Sequence, residues 1–268
     1  MPFAIVGMLL AYLLEPQSFQ FKPLILIVLA MIFARNAAMA FNRYIDREID
    51  AKNPRTKVRE IPAGIISPKN ALIFVIINCL AFVITTYFIN TICFFLSPIA
   101  LLVILGYSYT KRYTWLCHFV LGLGLALAPI GAYLAITGNF HILPILFGIA
   151  VLTWVSGFDV IYALQDIDFD KSLNLKSIPT KLGKGRALLF STIIHILTAI
   201  TIVIPGIISE FGSWYWIGTS LFIALLIYQH TLVKKNDLSK VNLAFFTTNG
   251  VASIVFCCFF ILEYFSTK

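Results

Sequence analysis

Residues 38–50 read AMAFNRYIDREID. An apolar run ends there, and within nine positions the chain places Asn42, Arg43, Asp46, Arg47, Glu48 and Asp50. Only 12% of the 268 residues are charged, where a soluble domain carries about a quarter. Charge gathered at the mouth of an apolar segment therefore needs a reason, and the surrounding sequence supplies one.

Working outward, apolar segments recur from one end of the chain to the other, and 60% of the residues are hydrophobic. Helices apolar on every side are not tolerated by bulk water. The pattern is that of an all-α, polytopic membrane bundle, not of a signal peptide followed by a soluble domain. Nine candidate spans follow: 2–14, 23–44, 70–89, 93–108, 115–135, 143–164, 187–206, 213–231 and 242–263. The first and fourth are short for a crossing, and the first reads as if the chain began partway into a helix. One membrane-embedded domain over 1–268 is expected.

Fifteen of the 20 Lys and Arg fall in loops 51–69, 109–114, 165–186 and 232–241. With nine spans these loops share one side, which the positive-inside rule makes cytoplasmic. The net charge of +8 then fits an anionic lipid surface, and no nucleic acid or obligate protein partner is called for. The five cysteines lie inside apolar segments without ligand spacing. The four histidines, His118, His141, His195 and His230, are scattered singly and read as packing or interfacial residues.

Two acidic clusters stand out. In the first, Asn42, Asp46 and Asp50 follow one another at four-residue spacing, which on a continuous helix stacks them on one face. The second, GFDVIYALQDIDFDKS at 157–172, repeats the spacing with Asp166 and Asp170, has Asp168 between them, and puts Asp159 almost two turns deeper. One such cluster alone reads as a solvated helix end. Two matched clusters about 120 residues apart, on the same membrane side, do not. Carboxylates stacked near a helix C-terminus repel one another and oppose its dipole, so something cationic must compensate them. Oxygen-only ligands suit Mg2+ shared with a phosphorylated ligand. Lys111, Arg112, Lys176 and Lys181 could take up the remaining phosphate charge. A diphosphate at the face of an apolar bundle implies a lipid tail, and a polyprenyl diphosphate fits that description. A transporter or channel is the alternative class, since acids within membranes mark ion paths. Against it, the acids crowd one face, and spans three, four, seven, eight and nine offer no evident polar stepping stones.

These residues resemble the UbiA superfamily of intramembrane aromatic prenyltransferases over essentially the whole chain. Asn42–Asp46–Asp50 is similar to that family's first Asp-rich motif and Asp166–Asp170 to its second. YSYTKRYTW at 107–115 resembles its Tyr-x-x-x-Lys loop, and DAKNPRT, PAG and KSIPTKLG are also similar. The resemblance implies a bundle around a central cavity with both motifs facing each other across it. It makes Asn42, Asp46, Asp50, Asp166 and Asp170 ligands of a magnesium–diphosphate, and Lys111 a diphosphate contact beside Tyr107. Arg43 and Arg112 would assist or hold an acceptor carboxylate, and Asp159 would stand near the aromatic acceptor. Asp159 reads otherwise as a buried partner of a Tyr or Arg. The expected reaction is prenylation of 4-hydroxybenzoate in quinone biosynthesis, with naphthoate or futalosine-type acceptors of menaquinone synthesis as the alternative. The expected location is the bacterial inner membrane, with the site facing the cytoplasm. Relatives in that family have a fuller first helix than this chain.

Overall fold

The computed structural model describes residues 2–15 and 18–267. Among them the regular elements are helical, apart from a single bridge between Lys234 and Asp237. The long helices are α1 (Pro2–Leu14), α2 (Phe21–Ile45), α4 (Pro68–Ile89), α5 (Thr91–Tyr113), α6 (Cys117–Thr137), α7 (Ile142–Ala163), α10 (Lys184–Ile208), α11 (Ser213–Leu232) and α12 (Asn249–Thr267). Three short helices lie between them, α3 (Arg47–Lys52), α8 (Ile167–Ser172) and α9 (Ile178–Leu182). A 3-10 turn over Leu164–Asp166 precedes α8, and a π-helical turn over Leu243–Thr248 precedes α12.

All nine predicted spans are helical, but among the described residues only seven stretches are long and apolar enough to cross a membrane: α2, α4, α5, α6, α7 with α8, α10, and α12 with its π turn. At 13 residues α1 is too short for that measure. Its interior position is the compensation. Phe3, Val6, Leu10, Ala11 and Tyr12 are all buried, packed against α6 and α12. A Cβ on Gly7 would stand 2.1 Å from the carbonyl oxygen of Pro129, so glycine is what lets α1 touch the α6 backbone. In lipid the gain comes from such close van der Waals packing, because tails solvate an isolated apolar helix as well as a neighbour does.

The core runs through α7, which packs between α6 and α10. Trp154 sits 5.5 Å from Phe3 and 5.4 Å from Phe222, and Phe147 lies 6.2 Å from Phe256 between ring centroids. The tilted and edge-on geometries are those that aromatic quadrupoles favour. By contrast α4 turns Ile73, Ile76, Ile77, Leu80 and Ile84 outward, as a lipid-facing helix does. Spans seven and eight prove less uniformly apolar than their sequence implies. His195 Nδ1 of α10 and His230 Nε2 of α11 lie within hydrogen-bond distance at 2.8 Å, and the other His195 nitrogen lies 3.1 Å from the Trp154 carbonyl. These are packing contacts between helices, as the histidines' isolation in the sequence implied.

Caps define the connections. Ser67 accepts from the Asn70 amide with Pro68 at the first helical position of α4. Asn90 caps α5 through the Cys93 amide at 2.9 Å, while its own amide donates to the Leu134 carbonyl at 2.8 Å. At the charged end a second apolar cluster joins Ile161, Leu164, Ile178, Leu232, Val233 and Val241. It ties the loops after α8 and after α11 to the foot of α7.

Candidate active site

Both acidic motifs sit where a helix is interrupted. Helix α2 stops at Ile45, Asp46 adopts φ −91° and ψ 4°, and α3 restarts at Arg47. In the second motif α7 tightens into the 3-10 turn, Asp166 adopts φ −104° and ψ 8°, and α8 follows. The first acid of each motif thus occupies the same sparsely populated bridge region. The helix carrying Asn42, Asp46 and Asp50 is thus kinked at Asp46, although the four-residue bonds from Asp46 N–H to the Asn42 carbonyl at 3.0 Å and from Asp50 N–H to the Asp46 carbonyl at 2.7 Å run through the kink. Asn42 does donate to Asp46 across one turn at 3.1 Å. Asp50 lies beyond the break, buried, and takes a different partner.

Each motif carboxylate is paired with a cation of the chain itself. Arg112 donates to Asp46 at 2.8 Å and to the Ile45 carbonyl at 3.0 Å, satisfying a free carbonyl at the end of α2. Arg59 holds both oxygens of Asp50 at 2.8 Å. Arg55 grips Asp166 through two nitrogens, Nε at 3.0 Å and Nη2, with Asn53 adding a bond at 3.1 Å. Lys111 lies 2.8 Å from Asp170. Buried charge is tolerated only when paired in this way.

These pairs also bring the motifs together. Lys111 and Arg112 are consecutive residues, and they hold one carboxylate from each motif. Asn53 and Arg55, just past the first motif, reach across to the second. The expected loop at 109–114 is corrected in the same stroke. Helix α5 continues through Tyr113, so Tyr107, Lys111 and Arg112 are helical, with both basic residues in the last turn where the dipole favours them. Around Asp46, burial pushes the carboxyl above its ordinary value; the Arg112 charge opposes that and the Asp50 charge adds to it.

The remaining predicted residues fall around this network. Tyr107 is partly buried on α5. Arg43 lies 3.7 Å from Glu60 and so belongs to the rim. Lys176 donates its main-chain N–H to the Lys111 carbonyl at 2.8 Å and its side chain to Tyr113 at 3.1 Å. Asp168 is exposed, outside the cluster that Asp166 and Asp170 join, because on α8 it points off the face those two share. Asp159 pairs with neither a Tyr nor an Arg. Its partner is His118, at 2.7 Å from Nδ1, while His118 Nε2 accepts from the Ile178 amide at 3.3 Å. An accepting Nε2 leaves the proton on Nδ1, aimed at the carboxylate.

Sequence reasoning missed Asn53, Arg55, Arg59 and His118. The first two lie within DAKNPRT, where no local spacing marks them as partners of an acid 113 and 111 positions away. Arg59 was counted only for topology.

Two grooves open beside the network. One of about 330 Å3 is lined by Glu48, Lys52, Arg112 and Leu173–Leu175, the other of about 360 Å3 by Trp115, Lys171, Lys176 and Lys181 among others. Among the described residues, no three His, Cys, Asp or Glu side chains converge as a ready metal site. The donor set nevertheless fits magnesium. It is all oxygen, and Asp170 Oδ2 is buried with no hydrogen-bond partner, an available lone pair in the middle of the cluster.

Fold and site together define an integral membrane protein, wholly helical in its described spans, whose paired acidic motifs meet at one end of the bundle. The chain belongs to the UbiA prenyltransferase family, whose sequence profile matches residues 1–251. It is 30% identical over 235 residues to a 4-hydroxybenzoate octaprenyltransferase of Aliivibrio fischeri strain MJ11, covering 87% of this chain and 81% of that one. A protein of the same name from Aliivibrio salmonicida is 31% identical over 236 residues, with the same coverage. Among solved structures, a UbiA homolog from Aeropyrum pernix K1 in its apo form matches with a TM-score of 0.88, 29% identity, and 98% and 97% of the two chains covered. A UbiA homolog from Archaeoglobus fulgidus bound to GPP and Mg2+ shares the fold, with a TM-score of 0.72 at 21% identity over 98% and 96% of the two chains. The chain is a prenyltransferase of this family.

Proposed function

We propose that the protein, as one membrane-embedded domain, transfers a polyprenyl group from a polyprenyl diphosphate to 4-hydroxybenzoate, at the cytoplasmic face of a bacterial inner membrane. The observation that carries this is the pair Lys111 and Arg112, adjacent in sequence and each holding an acid of a different motif. A diphosphate arriving between the motifs meets both cations at once, with Arg55 and Arg59 behind them. The names of the relatives near 30% identity favour this acceptor.

Asn42, Asp46, Asp50, Asp166 and Asp170 would hold magnesium, which neutralises the leaving diphosphate. The chain does the rest. Lys111 and Arg112 exchange their carboxylates for phosphate oxygens as the allylic carbon–oxygen bond breaks and the diphosphate departs with its electron pair. The ring carbon ortho to the phenol hydroxyl attacks the allylic carbon, and the ring then regains aromaticity by passing its proton to the released diphosphate. Asp159, oriented by His118, accepts a hydrogen bond from the phenol and raises electron density on the ring. Arg43 would reach the acceptor carboxylate from the rim, while Tyr107 beside Lys111, and Lys176, would serve the diphosphate.

The test uses membranes containing the protein, magnesium and a labelled polyprenyl diphosphate, with 4-hydroxybenzoate and naphthoate or futalosine-type acceptors offered separately. The expected result is product from 4-hydroxybenzoate, lost without magnesium and lowered about 10²- to 10³-fold in Asp46→Asn and Asp166→Asn. Product from a naphthoate or futalosine-type acceptor alone would overturn the acceptor while keeping the chemistry. Inert acceptors throughout would overturn the function.

A further inference from the structure

The reaction as proposed makes no use of the π-helical turn Leu243–Thr248. Such a turn widens the helix by a residue and puts main-chain groups out of register, so it persists where neighbours hold it, and it recurs at functional sites. Here three side chains hold it. Asn249 Nδ2 donates to the carbonyls of Ala244 at 3.1 Å and Phe245 at 2.9 Å, and Thr248 Oγ1 to that of Leu243 at 3.2 Å. From α7, Trp154 Nε1 donates to Asn249 Oδ1 at 3.1 Å in a buried contact.

The turn presses Phe245 onto α7. Its ring stacks on Tyr162 with centroids 4.0 Å apart and planes 28° from parallel, and it meets Phe158 edge-on at 5.2 Å. Tyr162 in turn meets Arg55. The guanidinium donates from Nη1 to the Tyr162 hydroxyl at 2.8 Å, and its carbon lies 5.2 Å from the ring centroid. The other two nitrogens of the same fork hold Asp166.

We propose that Tyr162 is a positioning residue for the second acidic motif: backed by Phe245 from the π turn, it fixes the plane of Arg55 and so the orientation in which Asp166 meets a magnesium–diphosphate. The inference rests on the function proposed above. An arginine bound only to a carboxylate can swing with it, because the pair rotates as a unit. A third bond, to a ring that is itself wedged, removes that freedom. Groups that orient a metal ligand in this manner contribute about 10- to 100-fold to affinity.

The test measures, on the purified full chain in detergent, thermal stabilisation by a prenyl diphosphate titrated with Mg2+, alongside kcat and KM for the prenyl donor. Tyr162→Phe is expected to weaken magnesium-dependent binding about 10-fold, to raise KM more than it lowers kcat, and to leave the ligand-free melting temperature near wild type. Phe245→Leu moves binding in the same direction. Arg55→Lys weakens it too, and adding Tyr162→Phe to that variant costs little more, since the hydroxyl acts through the guanidinium. Unchanged binding in Tyr162→Phe, full multiplication of the two effects, or a fall in kcat alone would each overturn the proposal. A wild-type protein that bound no prenyl diphosphate would instead overturn the function on which it rests.

Discussion

Asp46 lies just past the membrane-spanning part of α2, with Arg112 against it and Asp50 one turn on. Burial outweighs the arginine there, so the folded chain holds the Asp46 proton to a higher pH than the unfolded chain does. Ionising it therefore costs stability, and its contribution is greatest in acid and lost as pH rises through the raised value. A divalent cation takes only the ionised form, which reverses the preference. Stabilisation by Mg2+, read as a melting-temperature shift, should begin to weaken on acidification above the ordinary carboxylate value of 3.8, and Asp46→Asn should flatten that part of the profile. The acids of this site were legible in the sequence because four-residue spacing is a local signal. Lys111 and Arg112 were legible too, as neighbours in one basic pair, but Arg55 and Arg59 were not. Arg55 and Asp166 are 111 positions apart, and Arg55 looks like any other basic loop residue until the fold closes.

At the scale of elements, apolar run length left the short helices α3, α8 and α9 unread and placed every long helix within a few residues, except at the charged end of α5. There the sequence seemed to leave the membrane at 108, whereas the helix runs on to Tyr113, because leaving lipid is not the same as ceasing to be helical. The breaks at Asp46 and Asp166 were likewise unreadable, since neither carries a Gly or Pro to announce it. A further element-level contact was hidden in the same way. Glu263 of α12 is buried and accepts main-chain N–H bonds from Gly212 at 2.5 Å and Tyr215 at 3.2 Å, at the start of α11. A carboxylate there satisfies free amides and meets the positive end of the dipole. Glu263→Ala should lower stability in detergent by about 1–3 kcal/mol, because the amides are left unpaired. Glu263→Gln keeps an acceptor and should cost less, so comparing the two melting curves checks the assignment.

Across the whole molecule, the basic loops and both acidic motifs gather at one end, and the sequence alone conveyed that through charge bias. How many helices cross the membrane was less legible, because α1 is shielded by protein and does not need a full span's length. The bias predicts a side. In intact cells a membrane-impermeant maleimide should label Asn139→Cys, in the short loop between α6 and α7, and reach Lys57→Cys only after the membrane is opened. Labelling of Lys57→Cys from outside would reverse the orientation. The pairing of four carboxylates with four cations has a consequence for kinetics. A set of balanced charges has a field that fades within its own width, and salt shortens the reach of any remainder to about 8–10 Å. The surplus behind the net charge of +8 resides mainly in the surrounding loops. Attraction from a distance thus belongs to the periphery and discrimination to the centre, so the speed with which an anion arrives and the selectivity with which it is held can be tuned by separate substitutions.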